Sequence, residues 1–308
     1  MAIRAIELDA ITKSNHPAHH YEAMLADAPR MQAYRRAIEA AVRPGDVVAD
    51  LGTGSGVLAL MAVQAGASRV HAIDRRSRSL WIAERIIRAN GAEKKIELIE
   101  ADVRELELAE PVDLIVNELI GDFGTDEDIF DSVARFASAN LAPEGRIVPE
   151  ELQTYLVPVQ YGDEFRGVWR RDLHGLDLRA GNDLPSKPEA ELYGLRTKPL
   201  ELAAPQRVED IRFDRNMGER DEVHDVEFEI TSAATLQGFV GYFDATLSAG
   251  IHLSNYPCYP TCHWRNWHWP VSPAIEASVG QRIEARLEAK TGHPAVGWTL
   301  EWSGPGST

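Results

Sequence analysis

The chain has 308 residues and carries 32 Lys and Arg against 48 Asp and Glu, a formal net charge of −16. Affinity for DNA or RNA rests on neutralising phosphates, so this balance argues against a nucleic-acid partner and favours cationic or neutral ones. At this length a chain buries roughly 75% of the surface it exposes when unfolded, enough for a core without disulfide or metal staples.

In chain order, Tyr21 to Val42 has a helical composition. Pro29 lacks an amide hydrogen and interrupts it near Ala28, so two short helices are predicted ahead of the first strand. Apolar runs at Val47–Leu51, Val70–Ile73, Ile96–Ile99, Leu114–Val116 and Ile147–Val148 read as strands. Gly56–Gln64, Ser77–Asn90 and Glu127–Asn140 have helical spacing. That alternation predicts an α/β half with a buried, mostly parallel sheet. Near Pro149 the pattern turns to period two, with Tyr155, Val157 and Val159, then Val226, Phe228 and Ile230, then Ile283, Ala285 and Leu287. These are predicted half-buried antiparallel strands. From Asp172 to Pro205 the chain is too irregular for a strand and too interrupted for a long helix. It reads either as a surface insertion or as an excursion that packs on a second subunit.

Two cysteines, Cys258 and Cys262, and a polar opening with His16, His19 and His20 point to a reducing, cytoplasmic compartment. The longest apolar runs fall far short of the ~20 residues that cross a bilayer, so no membrane partner is expected. Cys258, Cys262, His263 and His268 form a C-x3-C-H-x4-H cluster that lacks the usual zinc spacings, so no metal is expected either.

Asp50-Leu51-Gly52-Thr53-Gly54-Ser55-Gly56 follows a strand and opens a helix, where glycines let a backbone approach a ligand and the helix N-terminus holds polar groups. Asp74 ends the next strand, where a carboxylate can accept both hydroxyls of a ribose. Together they predict a nucleoside site; a tight turn without a ligand is the other reading. A dinucleotide fingerprint needs its third glycine three residues after the second, whereas Gly56 comes two after Gly54. The run resembles motif I of class I S-adenosylmethionine (AdoMet) methyltransferases, and Ala101-Asp102-Val103 resembles their adenine-contact position. The resemblance implies AdoMet as the cofactor.

Asn117-Glu118-Leu119-Ile120-Gly121-Asp122-Phe123-Gly124-Thr125-Asp126-Glu127 follows the fourth strand, at the carboxyl end of the sheet where open α/β folds bind ligands. Glu118 and Glu127 are nine residues apart, which puts them on opposite faces of a helix or a strand. They converge only if the chain loops back, and Gly121, Asp122 and Gly124 supply the permissive backbone. Composition alone favours a solvated acidic loop. Likewise His263 is, on the residues alone, either a structural histidine in an aromatic turn or a catalytic one. Trp264, Trp267 and Trp269 read more readily as packing than as a cation cage, although Trp264 is also a candidate to line the site.

Glu118 and Glu127 match the two glutamates of the double-E loop of protein arginine methyltransferases, and residues 117–121 stand where that family has Ser-Glu-Trp-Met-Gly. Thr261-Cys262-His263-Trp264-Arg265-Asn266 is similar to the family's Thr-His-Trp loop, with Cys262 replacing the threonine. Gly241 to Leu247 resembles the β-barrel strand that precedes that loop, and Glu22 to Arg30 resembles the helix that covers AdoMet. The likeness runs in motif order from Tyr21 to Trp302.

With the change of pattern near Pro149 it gives three segments: helices covering the cofactor (1–44), a Rossmann-like AdoMet domain (45–149) and a β-barrel substrate domain (150–308); it also implies a homodimer, for which the stretch 172–205 is a candidate excursion if it is not a plain surface insertion. It further implies Arg30, Asp50, Gly52, Gly54, Gly56, Asp74, Asp102 and Val103 around the cofactor. Met24 and Trp264 would stand beside the substrate, and Glu118, Glu127 and His263 at the reaction. A guanidinium and a sulfonium are both cations, so two carboxylates are needed to offset their repulsion, hold the guanidinium by bidentate bonds and aim one nitrogen. The substrate is then an arginine-containing protein or peptide, or free arginine. The family's Tyr-Phe-x-x-Tyr lid motif is absent before His20, Leu119 replaces a tryptophan, and Ile129 replaces a methionine. Two alternatives remain open at this point: methyl transfer to another small amine or hydroxyl, and a non-catalytic interaction protein of the same fold.

Overall fold

The computed structural model describes residues 19–162, 172–178, 191–193, 195, 197–256, 262–290, 292 and 295–304. Helices α1 (His19–Ala26) and α2 (Ala28–Ala41) come first. The break falls at Asp27, which caps α2 by accepting a hydrogen bond from Arg30 N at Oδ1 (3.1 Å). Pro29 stands in the first turn of α2, where its missing N–H costs nothing, so it starts a helix of 14 residues and does not shorten one.

The parallel half is β1 (Val47–Leu51), α3 (Val57–Ala65), β2 (Arg69–Asp74), α4 (Ser77–Ala89), β3 (Ile96–Glu100), β4 (Val112–Asn117), α5 (Ile129–Asn140) and β5 (Leu141–Val148). Its five strands run parallel in the order β3-β2-β1-β4-β5. Strand order reverses between β1 and β4, which opens a crevice at their carboxyl ends. Val48, Leu51, Val70, Ile73, Leu114, Ile115 and Val116 are sealed between helices on both faces. Each contributes about 1.5–3 kcal/mol by burial, which is why these strands read as apolar runs and not as alternations.

The second half comprises β6 (Glu151–Gln160), β7 (Asp172–Leu173), β8 (Leu176–Asp177), β9 (Glu191–Tyr193), β10 (Leu200–Glu201), β11 (Gln206–Arg212), β12 (Val223–Glu229), β13 (Ala234–Ser248), β14 (Ile251–Ser254), β15 (Asn266–Ala277), β16 (Arg282–Lys290) and β17 (Gly297–Ser303). An antiparallel sheet follows the path β10-β6-β13-β15-β9, with β11 also on β6 and β14 on β13; a second sheet runs β12-β16-β17. Burial alternates strictly along β16, as period two predicts. In β6 it does not: Val157 and Val159 are sealed by a separate cluster with Tyr161, Val240 and Tyr242, so both faces are covered. The stretch 172–205 contributes short strands, of which β9 joins the edge at β15 and β10 pairs with β6. Residues 179–190 of that excursion lie outside the described residues, as do Cys258, Thr261 and the first 18 positions, where the lid motif would fall. No helix among the described residues is long and apolar enough to cross a membrane.

The halves meet through the loop after β4. Phe123 leaves the parallel half and sits wholly buried in the barrel core, edge-on to Trp269 (5.6 Å) and Trp298 (5.2 Å).

Candidate active site

A cavity of about 420 Å³ lies at the carboxyl ends of β1, β2 and β4, a size suited to a small organic ligand. The glycine loop forms one wall. Gly52, Gly54 and Gly56 all have positive φ (68°, 54° and 79°), which L side chains adopt only under strain. Gly52, Gly54, Asp74, Asp102 and Val103, expected around the cofactor, line the cavity. Asp74 ties the loop to β2, its Oδ2 accepting from Gly54 N (3.0 Å) and its Oδ1 from Arg76 N (2.8 Å). Asp102 is oriented by Arg104, whose Nη2 donates to it at 2.9 Å.

Asp50 and Gly56, expected at the cofactor, lie behind the wall. Asp50 is sealed beneath the loop, with Oδ2 accepting from Thr53 Oγ1 (2.6 Å) and Ala59 N (3.0 Å); burial pushes its carboxyl up to about 7. It braces the loop against the start of α3. Gly56 opens α3, and a Cβ there would come within 3.2 Å of Ala83 Cβ, so its role is close packing against α4.

Tyr21 covers the loop from α1. Its ring lies so near Gly54 that a Cβ there would sit 2.8 Å from Cε1, and its hydroxyl donates to Ser79 Oγ at 2.7 Å. Sequence reading assigns Tyr21 no role, because its covering position depends on α1 folding back over a loop more than thirty residues later.

Glu118 and Glu127 face the same cavity. The chain loops back through reciprocal backbone bonds, Gly121 N to Gly124 O (2.9 Å) and Gly124 N to Gly121 O (3.1 Å). Gly121 has no room for a side chain, since a Cβ would lie 2.2 Å from Asp126 Oδ1. Glu118 accepts from Arg30 Nη1 at 2.6 Å, while Arg30 Nη2 donates to Met24 O at 2.8 Å. Burial pushes Glu118 up to about 7, against the opposing pull of the Arg30 charge. Glu127 is exposed into the cavity and is also pushed up to about 7, first by the surrounding protein and then by the charges of Glu118 and Asp122. An acid whose ionisation is hindered by its neighbours' charges makes a site that gains from a bound cation.

Arg30 sits behind Glu118 and not in the cavity wall, with its guanidinium 5.4 Å from the Trp264 ring and Nε buried without a partner among the described residues. Met24 and His263 do line the cavity. Trp264, expected to line the substrate site, is buried behind it, packed edge-on to Phe243 at 5.1 Å; its Nε1 donates to Ile120 O at 2.8 Å and so holds the acidic loop from below. Asp27, for which sequence reading supplies no role, joins both walls: Oδ1 caps α2 and Oδ2 accepts from His263 N at 3.0 Å. Its N-cap position before Pro29 was the available signal.

A parallel sheet reversing at β1, a glycine loop after that strand and an acid at the end of β2 define a class I methyltransferase. The family model described as ribosomal protein L11 methyltransferase (PrmA) matches residues 33–148. Protein arginine N-methyltransferase PRMT10 of Arabidopsis thaliana is 28% identical over 87% of this chain and 79% of its own. Protein arginine N-methyltransferase 1 of Dictyostelium discoideum is 29% identical over 87% and 80%. Among solved structures, the Trypanosoma brucei PRMT1 enzyme-prozyme heterotetrameric complex with AdoHcy superposes with a TM-score of 0.76 at 22% identity, covering 95% of each chain. Over most of its length the chain is thus similar to protein arginine N-methyltransferases.

Proposed function

We propose that this protein transfers a methyl group from AdoMet to a guanidino nitrogen of arginine, with Glu118 and Glu127 as the clamp. The observation that carries the reading is the convergence of these two carboxylates, across the Gly121–Gly124 closure, in one cavity with the glycine loop. The residues present fit AdoMet. Gly52 and Gly54 leave a side-chain-free wall, Asp74 would present a carboxylate to ribose hydroxyls, and Asp102 and Val103 would border the base. When bound, AdoMet supplies an electrophilic methyl carbon on a sulfonium.

The chain does the rest by binding and orientation. Ionised Glu118 and Glu127 accept N–H bonds from the guanidinium, offset the charge it brings toward a second cation, and leave one nitrogen pointed at the cofactor side. Arg30 keeps Glu118 aimed, and Asp27, through His263 N, keeps the His263 loop against α2. As the new N–C bond forms, the proton on that nitrogen passes to Glu127 or His263, both of which face the cavity. A homodimer in the cytoplasm completes the reading, supported by the heterotetrameric assembly of the T. brucei relative and by only two cysteines in 308 residues.

The test is incubation with radiolabelled AdoMet and, separately, free arginine, an arginine-rich peptide and a desalted cell extract. Label is expected in methylarginine. Free methylarginine defines a metabolite enzyme and labelled protein or peptide a protein methyltransferase. Label in acceptors lacking a guanidine, or in none, overturns the proposal.

A further inference from the structure

Among the described residues no hydrogen bond restrains the Glu127 carboxylate, so its place is set by the backbone that carries it. The two residues before it are fixed from the antiparallel half. Thr125, wholly buried, donates its hydroxyl to Glu209 Oε2 (2.7 Å) and accepts from Arg220 Nη2 (2.8 Å). Arg220 Nε donates to Glu209 Oε1 at 2.8 Å, and the two side chains are only 11% and 3% exposed. Thr154 of β6 closes the group, donating to Glu209 Oε2 (3.2 Å) and accepting from Glu209 N (3.1 Å). The Arg220 guanidinium lies 5.2 Å from the ring of Trp298. Next along, Asp126 accepts from Phe123 N (2.7 Å) and Trp267 Nε1 (3.1 Å), and its own carbonyl accepts from Val296 N (2.9 Å).

A buried ion pair costs desolvation that an apolar contact at the same junction avoids, so stability alone does not call for one here. What the pair adds is direction: it fixes one hydroxyl two residues from Glu127 along two bond vectors. We infer that Arg220 and Glu209 are positioning residues for arginine methyl transfer, acting through Thr125 to set where the second carboxylate of the clamp meets the guanidinium. Neither touches the substrate. The inference rests on the clamp reading above, and it makes the barrel half a part of the reaction geometry.

Thr125→Val removes the hydroxyl at nearly constant volume and leaves the Arg220–Glu209 bond in place. Binding of free arginine and of an arginine-rich peptide to AdoHcy-saturated protein, measured by calorimetry, is expected to weaken roughly tenfold for the accepted substrate, with kcat lowered as well. AdoMet affinity stays unchanged, and Thr125→Ser restores both. On a Glu127→Gln background the Thr125→Val loss disappears, because the network acts through Glu127. Arg220→Lys, which keeps a charge on Glu209 but not the fork, gives the same pattern and covers the case in which Thr125→Val folds poorly. An undiminished loss on the Glu127→Gln background, or an equal loss of AdoMet binding, overturns the inference and leaves the clamp standing. Unchanged substrate binding in Glu127→Gln itself overturns both.

Discussion

Glu118 stands just past the end of a strand in the parallel sheet, with its carboxylate against buried Arg30 of α2. Glu127 stands nine residues later on a loop whose anchors, Phe123, Thr125 and Asp126, all seat in the antiparallel half. The first acid is built into the fold by an ion pair, and the second is carried by a backbone that other groups hold. Two positions with the same chemistry thus have different structural dependence, and substitution separates them.

The largest effect is expected for Glu118→Gln. Turnover falls roughly 10²–10³-fold, the range seen when one preorganised charge-stabilising group is lost. The variant's stability at pH 8 is expected to hold or rise, because a neutral side chain removes a buried charge whose desolvation Arg30 only partly offsets. Glu127→Gln lowers turnover about 10²-fold with stability unchanged or raised, since it relieves repulsion with Glu118 and Asp122. An equal loss of turnover in the two variants would break the contrast.

The pH dependence is next. Both acids are pushed up to about 7, and only their ionised forms hold a guanidinium, so kcat/KM rises as pH climbs through about 7. Log kcat/KM approaches a slope of two on the acid side in the native protein and of one in Glu127→Gln; a flat profile between pH 6 and 8 would remove the clamp. Stability runs the opposite way. Burial holds Asp50, Glu118 and Asp126 at about 7, above their values in the unfolded chain, so the folded state keeps protons that the unfolded one has released. Their contribution is complete below about pH 4 and is lost as pH rises through about 7. The urea midpoint of the ligand-free protein is therefore expected to fall between pH 5.5 and 8.

Smaller effects come from the cofactor side. Gly54→Ala puts a Cβ at φ 54° and 2.8 Å from the Tyr21 ring. AdoMet affinity, read by calorimetry, is expected to drop about tenfold, the cost of a non-glycine residue in the left-handed region. Tyr21→Phe loses the bond to Ser79 and weakens AdoMet binding by about 1 kcal/mol or less. A larger effect on arginine than on AdoMet in either variant would mean that α1 serves the substrate.

The parallel half was legible because its signals are local. Each of its strands is an apolar run, and the loop motif states its turn in consecutive residues, so all five strands and the cavity position of Gly52, Gly54 and Asp74 follow from the chain alone. The limits of the second half were less so. In β6 the expected alternation is overridden by a second apolar cluster that only the folded sheet assembles. Within the site, Glu118 and Glu127 stand out by resemblance, while spacing leaves them apart; the closure that joins them is made by two glycine backbones that no periodicity encodes. Tyr21, Glu209 and Arg220 carry no local signal of their roles because each acts on a partner distant in sequence, and Asp27 signals its helix cap but not its bond to His263. Trp264 sits in a motif that suggests a cavity-lining ring, yet its indole reaches back to Ile120 and supports the wall from the far side.

The acidic loop also sets an order of events. Its fixed points come from far downstream: Trp264 on Ile120, Arg265 on Asp122, Trp267 on Asp126 and Arg220 on Thr125. Contacts of such long sequence separation close late, after the loop entropy between them has been overcome. A ribosome that has released the chain through Val148 has delivered every strand of the parallel sheet, and with it a place for the nucleoside, but none of the struts for Glu127. The glycine loop and its sheet are thus made before the residues that brace the acidic loop.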